Sequence, residues 1–175
     1  MSKTQLKKVL VNLDRDQLQA LVLEVYEARK EAKEFLDFFV DPDVDKMMGK
    51  YKGVIDKELG RVSRGRARPR MTRLRKAVKD FASFNPGGEF TGEIMTYLVE
   101  RFCATGSDCW IKDTTQRSMA KFLGETLVFI DKNELIADFL PRITRAVESM
   151  KSGFFHNNTF KRLLKETIED FQSLR

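Results

Sequence analysis

Along almost its whole length this chain sets apolar residues three and four apart, and no useful stretch alternates with period two. The three–four step is the repeat of one helix face, at about 3.6 residues per turn, whereas a half-buried strand needs every second residue apolar. Leu18, Leu21, Val25, Ala28, Ala32, Phe35 and Phe39 form one such stripe. Leu135, Ile136, Phe139, Leu140, Ile143, Val147 and Met150 form another. The pattern predicts an all-α fold, an irregular multi-helix bundle or short helical array of seven to eight helices, with no sheet.

Local signals mark the helix ends. Asp14 is a candidate N-cap, and the stripe after it suits one helix to about Val40 or two helices broken near residues 29–31. Asp41-Pro42 ends that region and opens the next helix, which carries Val44, Met47, Met48, Tyr51, Ile55, Leu59 and Val62. Gly49, Gly53 and Gly60 weaken it, and a break follows over residues 63–69. Leu74, Val78 and Phe81 mark a helix that stops at Asn85-Pro86-Gly87-Gly88. Another runs from Phe90 to near Gly106, and Asp113 or Thr114 is expected to cap the next. Pro141 is expected to kink or restart its helix and Gly153 to close it, before a last helix bearing Phe160, Leu164 and Ile168.

At 175 residues the chain is read as one domain, residues 1–175, with a basic loop at about 61–73. Its composition, 42% hydrophobic and 33% charged, excludes a chain disordered throughout. Fourteen Phe against one Trp and three Tyr predict a core filled by rings that need no buried hydrogen-bond partner. Two cysteines, Cys103 and Cys109, make no disulfide framework and suit a reducing compartment. The opening MSKTQLKK lacks the apolar core of a signal peptide, and no apolar run approaches the length of a membrane span. A cytoplasmic protein without membrane association is the expectation.

The charge is local. Residues 1–60 hold 11 basic and 12 acidic residues, and residues 80–175 hold 12 and 14. Residues 61–79 hold nine basic residues and no acid, so the net charge of +6 originates there. Its candidate binding groups are Arg61, Arg64, Arg66, Arg68, Arg70, Arg73, Arg75 and Lys76, with Lys79 closing the run. Most are guanidinium forks, which pair bidentately with phosphate or carboxylate. Gly65 and Pro69 disfavour helix around them, so an extended loop is expected, with Arg64, Arg66, Arg68 and Arg70 along one edge about 6.6 Å apart. Such a row suits a polyanion. Two other readings stay open: a solvated basic loop, and pairing with the acidic residues Glu24, Glu27, Glu31, Glu34 and Asp37. No aromatic residue interleaves the run, which argues against stacking on single-stranded bases.

Catalytic constellations are missing. His156 is the only histidine, which excludes two-histidine zinc motifs, and it reads as a capping or turn residue. Cys103 and Cys109 do not complete a zinc set, and no acidic pair stands out as an acid–base couple. The expectation is a non-enzyme with no cofactor and no metal.

Three stretches, Leu13-Asp14-Arg15-Asp16-Gln17-Leu18, Phe35-Leu36-Asp37-Phe38-Phe39-Val40-Asp41-Pro42 and Lys76-Ala77-Val78-Lys79-Asp80-Phe81, carry a resemblance. They are similar to an uncharacterised bacterial family of all-helical domains with only a domain-of-unknown-function label. The resemblance implies no activity, cofactor or catalytic residue. The working expectation is therefore a binding domain that contacts a polyanion, duplex or structured nucleic acid, through the arginine-rich segment. The alternative is a protein-interaction or self-association module with an acidic partner surface.

Overall fold

The computed structural model describes residues 2–152 and 158–174. Among these the chain forms nine helices and three strands of two residues each. The fold is all-α as the apolar step predicts, with a minute sheet where none was expected. The described residues divide into two compact units, Met1–Asp43 and Val44–Arg175.

The first unit contains α1 (Lys3–Leu10), α2 (Arg15–Ala28) and α3 (Lys30–Val40). Asp14 opens α2 with a reciprocal cap: its Oδ1 accepts from Gln17 N at 2.8 Å, and Gln17 Oε1 accepts from Asp14 N at 3.1 Å. The long stripe is broken at Arg29, whose extended backbone (φ −135, ψ 116) separates α2 from α3. Tyr26 Oη then donates to Asp37 Oδ1 at 2.8 Å and ties the two helices together. No residue of these three helices is fully buried.

The second unit holds α4 (Val44–Leu59), α5 (Met71–Ala82), α6 (Gly88–Asp108), α7 (Asp113–Lys132), α8 (Ile136–Glu148) and α9 (Asn158–Ser173). Its strands are β1 (Val62–Ser63), β2 (Arg66–Ala67) and β3 (Trp110–Ile111). Helix α6 is the hub, packed against α4, α5, α7 and α8, while α9 packs on α7 and α8. The three–four stripes meet here: Ile55, Leu74, Phe81, Ile94, Leu98, Leu123 and Leu127 have no accessible surface. Phe102 and Phe160 meet edge to face with centroids 5.4 Å apart, as ring quadrupoles favour. Gly106 lies so close to Phe160 that an added Cβ would sit 3.0 Å from the ring.

Two local expectations need correction. Pro141 does not restart its helix, because α8 runs unbroken from Ile136 to Glu148. Only the one ladder bond that its missing N–H would make is lost, near the helix start. Neither Asp113 nor Thr114 caps α7; the N-cap is Lys112, which offers no side-chain acceptor. The turn at residues 85–88 is as expected, with Asn85 and Gly87 at positive φ of 53 and 115. Gly153 and His156 lie outside the described residues. Among the described residues no helix is long and apolar enough to cross a membrane.

Candidate nucleic-acid interface

The expected extended loop is a hairpin that also pairs on its other side. β1 and β2 run antiparallel with Val62 opposite Ala67 and Ser63 opposite Arg66. Arg64 and Gly65 are left as the two-residue turn, at φ 50 and 71, the sense of twist that tight hairpins need. Glycine meets that requirement freely, and Arg64 does so at a cost of about 1 kcal/mol. β2 in turn pairs in parallel with β3, Arg66 opposite Trp110 and Ala67 opposite Ile111. Trp110 N donates to Gly65 O at 2.8 Å, fastening the turn to the α6–α7 connection.

Pairing decides which side chains face out. Neighbours in register share a side of the sheet. Ala67 and Ile111 are buried in the core, so Arg66 and Trp110 are turned to the opposite face. The alternation continues past the strand: Pro69 is buried, while Arg68 and Arg70 are exposed. The expected row of four is thus three, Arg66, Arg68 and Arg70, with Arg64 displaced onto the turn.

Arg70 is then withdrawn from the row by Glu58, a carboxylate only 6% exposed near the end of α4. Glu58 Oε1 accepts from Arg70 Nε at 2.9 Å and Oε2 from Arg70 Nη2 at 2.8 Å, the bidentate fork. The Arg70 backbone N–H and Arg61 Nη1 also donate to Oε1, at 2.8 and 2.9 Å. The Arg70 fork, with its backbone N–H and Arg61 adding to it against the opposing effect of burial, holds the Glu58 carboxyl well down, at about 2. One acid therefore pins both feet of the hairpin, Arg61 before β1 and Arg70 after β2.

Other cations of the run are also engaged. Arg75 pairs with Glu125 of α7 and lies over the Phe122 ring. Lys76 pairs with Asp80 one turn on, at 2.6 Å. Arg64, Arg66, Arg68 and Arg73 form no ion pair among the described residues. The sequence-predicted set therefore separates into a structural group, Arg61, Arg70, Arg75 and Lys76, and an uncommitted group.

Two of the uncommitted arginines line a groove of about 320 Å³ together with Ala67, Pro69, Trp110, Lys112 and Thr115. Arg66 stacks its guanidinium 5.4 Å from the Trp110 ring centroid, and Trp110 is still 51% exposed. Lys112 is exposed and has no ion pair among the described residues. No carboxylate lines the groove. Trp110 and Lys112 were not foreseen as site residues. The available signal was the lone tryptophan in a short connector, but nothing in the sequence joins it to Arg66.

A second cavity, of about 400 Å³, is lined by Asp45, Glu89, Glu93, Asp138 and Arg142 among others. Arg142 is fully engaged there, bonding Glu93 at 2.5 Å and Glu100 at 3.0 Å. Among the described residues no group of three or more His, Cys, Asp or Glu is placed to hold a metal ion. Cys103 is buried inside α6, and burial pushes its thiol up to about 12, the behaviour of an inert core cysteine.

Comparison with known sequences adds one finding: the model of the Family of unknown function (DUF6155) matches residues 1–169. No curated protein and no solved structure matches the chain.

Proposed function

The chain belongs to the DUF6155 family, a family of unknown function, and we propose from its own geometry that it is a non-enzymatic domain that binds nucleic acid through phosphate contacts. The observation that carries this reading is the groove in which Arg66, Arg68 and Lys112 surround an exposed Trp110 with no acid in the lining. Cations that are not neutralised by the protein's own carboxylates are the ones available to a polyanion. Arg64, exposed at the hairpin turn two residues before Arg66, adds a further cation that is unpaired among the described residues. Arg61 and Arg70 hold the hairpin through Glu58, and Arg75 and Lys76 are already paired with Glu125 and Asp80.

Binding of this kind is driven by counterion release and falls steeply with salt. If Arg64, Arg66, Arg68 and Lys112 each neutralise a phosphate, log affinity should fall against log salt with a slope of about −3 to −4. Fluorescence anisotropy with labelled oligonucleotides between about 50 and 200 mM salt reads this directly. Arg66→Ala/Arg68→Ala should weaken all sequences alike and flatten the slope by about 1.5. Polyglutamate is the control for generic attraction to acidic polymers. Equal affinity for polyglutamate, or no binding to nucleic acid at the lowest salt, refutes the reading.

A further inference from the structure

We infer that Trp110 is a stacking platform for a single unpaired base, and that the nucleic acid recognised is single-stranded. The inference rests on the phosphate-binding reading above and specifies what that groove takes. A duplex keeps its bases stacked on one another and presents only phosphates and groove edges, so an aromatic ring on a protein surface adds little to it. A single strand offers base faces, and proteins that bind it combine a cationic track with exposed rings.

Three features of the groove meet that requirement. The indole is about half exposed although its neighbours Ala67 and Ile111 are buried, so the sheet register holds it outward. Its orientation is set from one side by the Arg66 guanidinium, 5.4 Å from the centroid, which leaves the rest of the ring to a ligand. Arg68 and Lys112 share the groove with it. A phosphate held by these cations would place the adjoining base beside the ring. A bare polyphosphate would fill the cationic part and leave the indole uncovered.

Trp110 is the only tryptophan, so its fluorescence reports on this groove alone. The experiment titrates the intact protein with oligothymidylate, oligouridylate, a duplex of equal length and polyphosphate, following both Trp110 emission and anisotropy of labelled strands. Single strands should quench Trp110, and polyphosphate should compete for binding without quenching. Trp110→Ala should weaken single-strand binding about 5- to 100-fold, Trp110→Phe should recover most of it, and duplex binding should change less than about 2-fold. Thymidylate and uridylate binding alike would show recognition of base and phosphate rather than of the sugar.

Equal weakening of duplex and single strand by Trp110→Ala, or none for either, overturns the stacking inference. If Arg66→Ala/Arg68→Ala still weakens binding and flattens the salt slope in that case, the phosphate-binding reading survives without it. If no nucleic acid binds the wild type, both fall. Circular dichroism of each variant checks that the fold is retained.

Discussion

Replacing Glu58 by Gln removes one negative charge and two of the lone-pair sites that hold the hairpin, while keeping the side chain's shape. Glu58 is buried and accepts four hydrogen bonds, three of them from Arg70. Its carboxyl stands at about 2 against an ordinary 4.5. That difference corresponds to about 3 kcal/mol of folded-state stabilisation of the charged form. The side chains of Arg61 and Arg70 are 44% and 42% exposed, so water recovers part of what they lose. The expected cost of Glu58→Gln at pH 7 is therefore about 2 kcal/mol, or roughly 4–8 °C in Tm. The sign with pH is definite. A depressed carboxylate stabilises fully above its unfolded value, near 4.5, and loses that contribution as pH falls toward 2. Urea unfolding of both proteins from pH 7 to pH 2 isolates this group, because every other carboxylate titrates in both. The gap between them should be constant down to about pH 5 and close by about pH 2. A variant within about 0.5 kcal/mol of wild type at pH 7, or a gap that persists in acid, refutes the clamp.

Among the tryptic sites within residues 44–150 of the intact protein, the first cut should fall after Arg64 at the exposed turn, while Arg68 resists because Pro69 follows; an earlier cut within α4 or α5 would contradict the hairpin. Gly53→Ala, where nothing lies within 4 Å of the new Cβ, should raise stability by about 0.5–1 kcal/mol. Gly106→Ala should lower it by about 1–3 kcal/mol, since the methyl meets Phe160 at 3.0 Å and Met150 at 3.2 Å; thermal melts giving the same sign for both would show that α6 packs more loosely there. In Ellman titration at pH 8, Cys103 should react only after denaturation, and rapid reaction of both thiols in the native protein would contradict its burial.

The helices from α2 on were legible because each carries its own three–four apolar stripe, buried in α4–α9 and left partly open in α2 and α3, and the stripe is local information. Asp14 and Gln17 announce the start of α2 within four residues, and the turn at 85–88 announces itself by composition. Helix α1 escaped because its eight residues offer only about two turns of pattern, with Leu6 and Val9 exposed. The sheet escaped because strands of two residues cannot display an alternation. Arginine spacing did imply that Arg66, Arg68 and Arg70 share a side, since Ala67 and Pro69 turn inward. It could not reveal that Glu58 neutralises Arg70, because that contact spans a hairpin. The groove itself depends on β2 pairing with β3, and this brings Trp110 and Lys112 beside residues far away in the chain. The absence of an aromatic within the arginine run was true of the sequence and misleading about the surface.

The central claim is that nucleic acid is held by this groove rather than by the chain's overall positive charge. Two charge-reversed proteins separate these. Arg66→Glu/Arg68→Glu changes the groove, and Lys132→Glu/Lys165→Glu changes exposed lysines on α7 and α9, with Lys132 at the end of α7 remote from Lys112. Each pair of reversals lowers the formal net charge from +6 to +2. At 0.15 M salt the screening length is about 8 Å, so distant charges contribute little. Anisotropy titration of a labelled single strand should show near-wild-type affinity for the lysine variant and loss of at least about 100-fold for the arginine variant. Equal loss in the two would contradict the groove and leave only net charge as the cause.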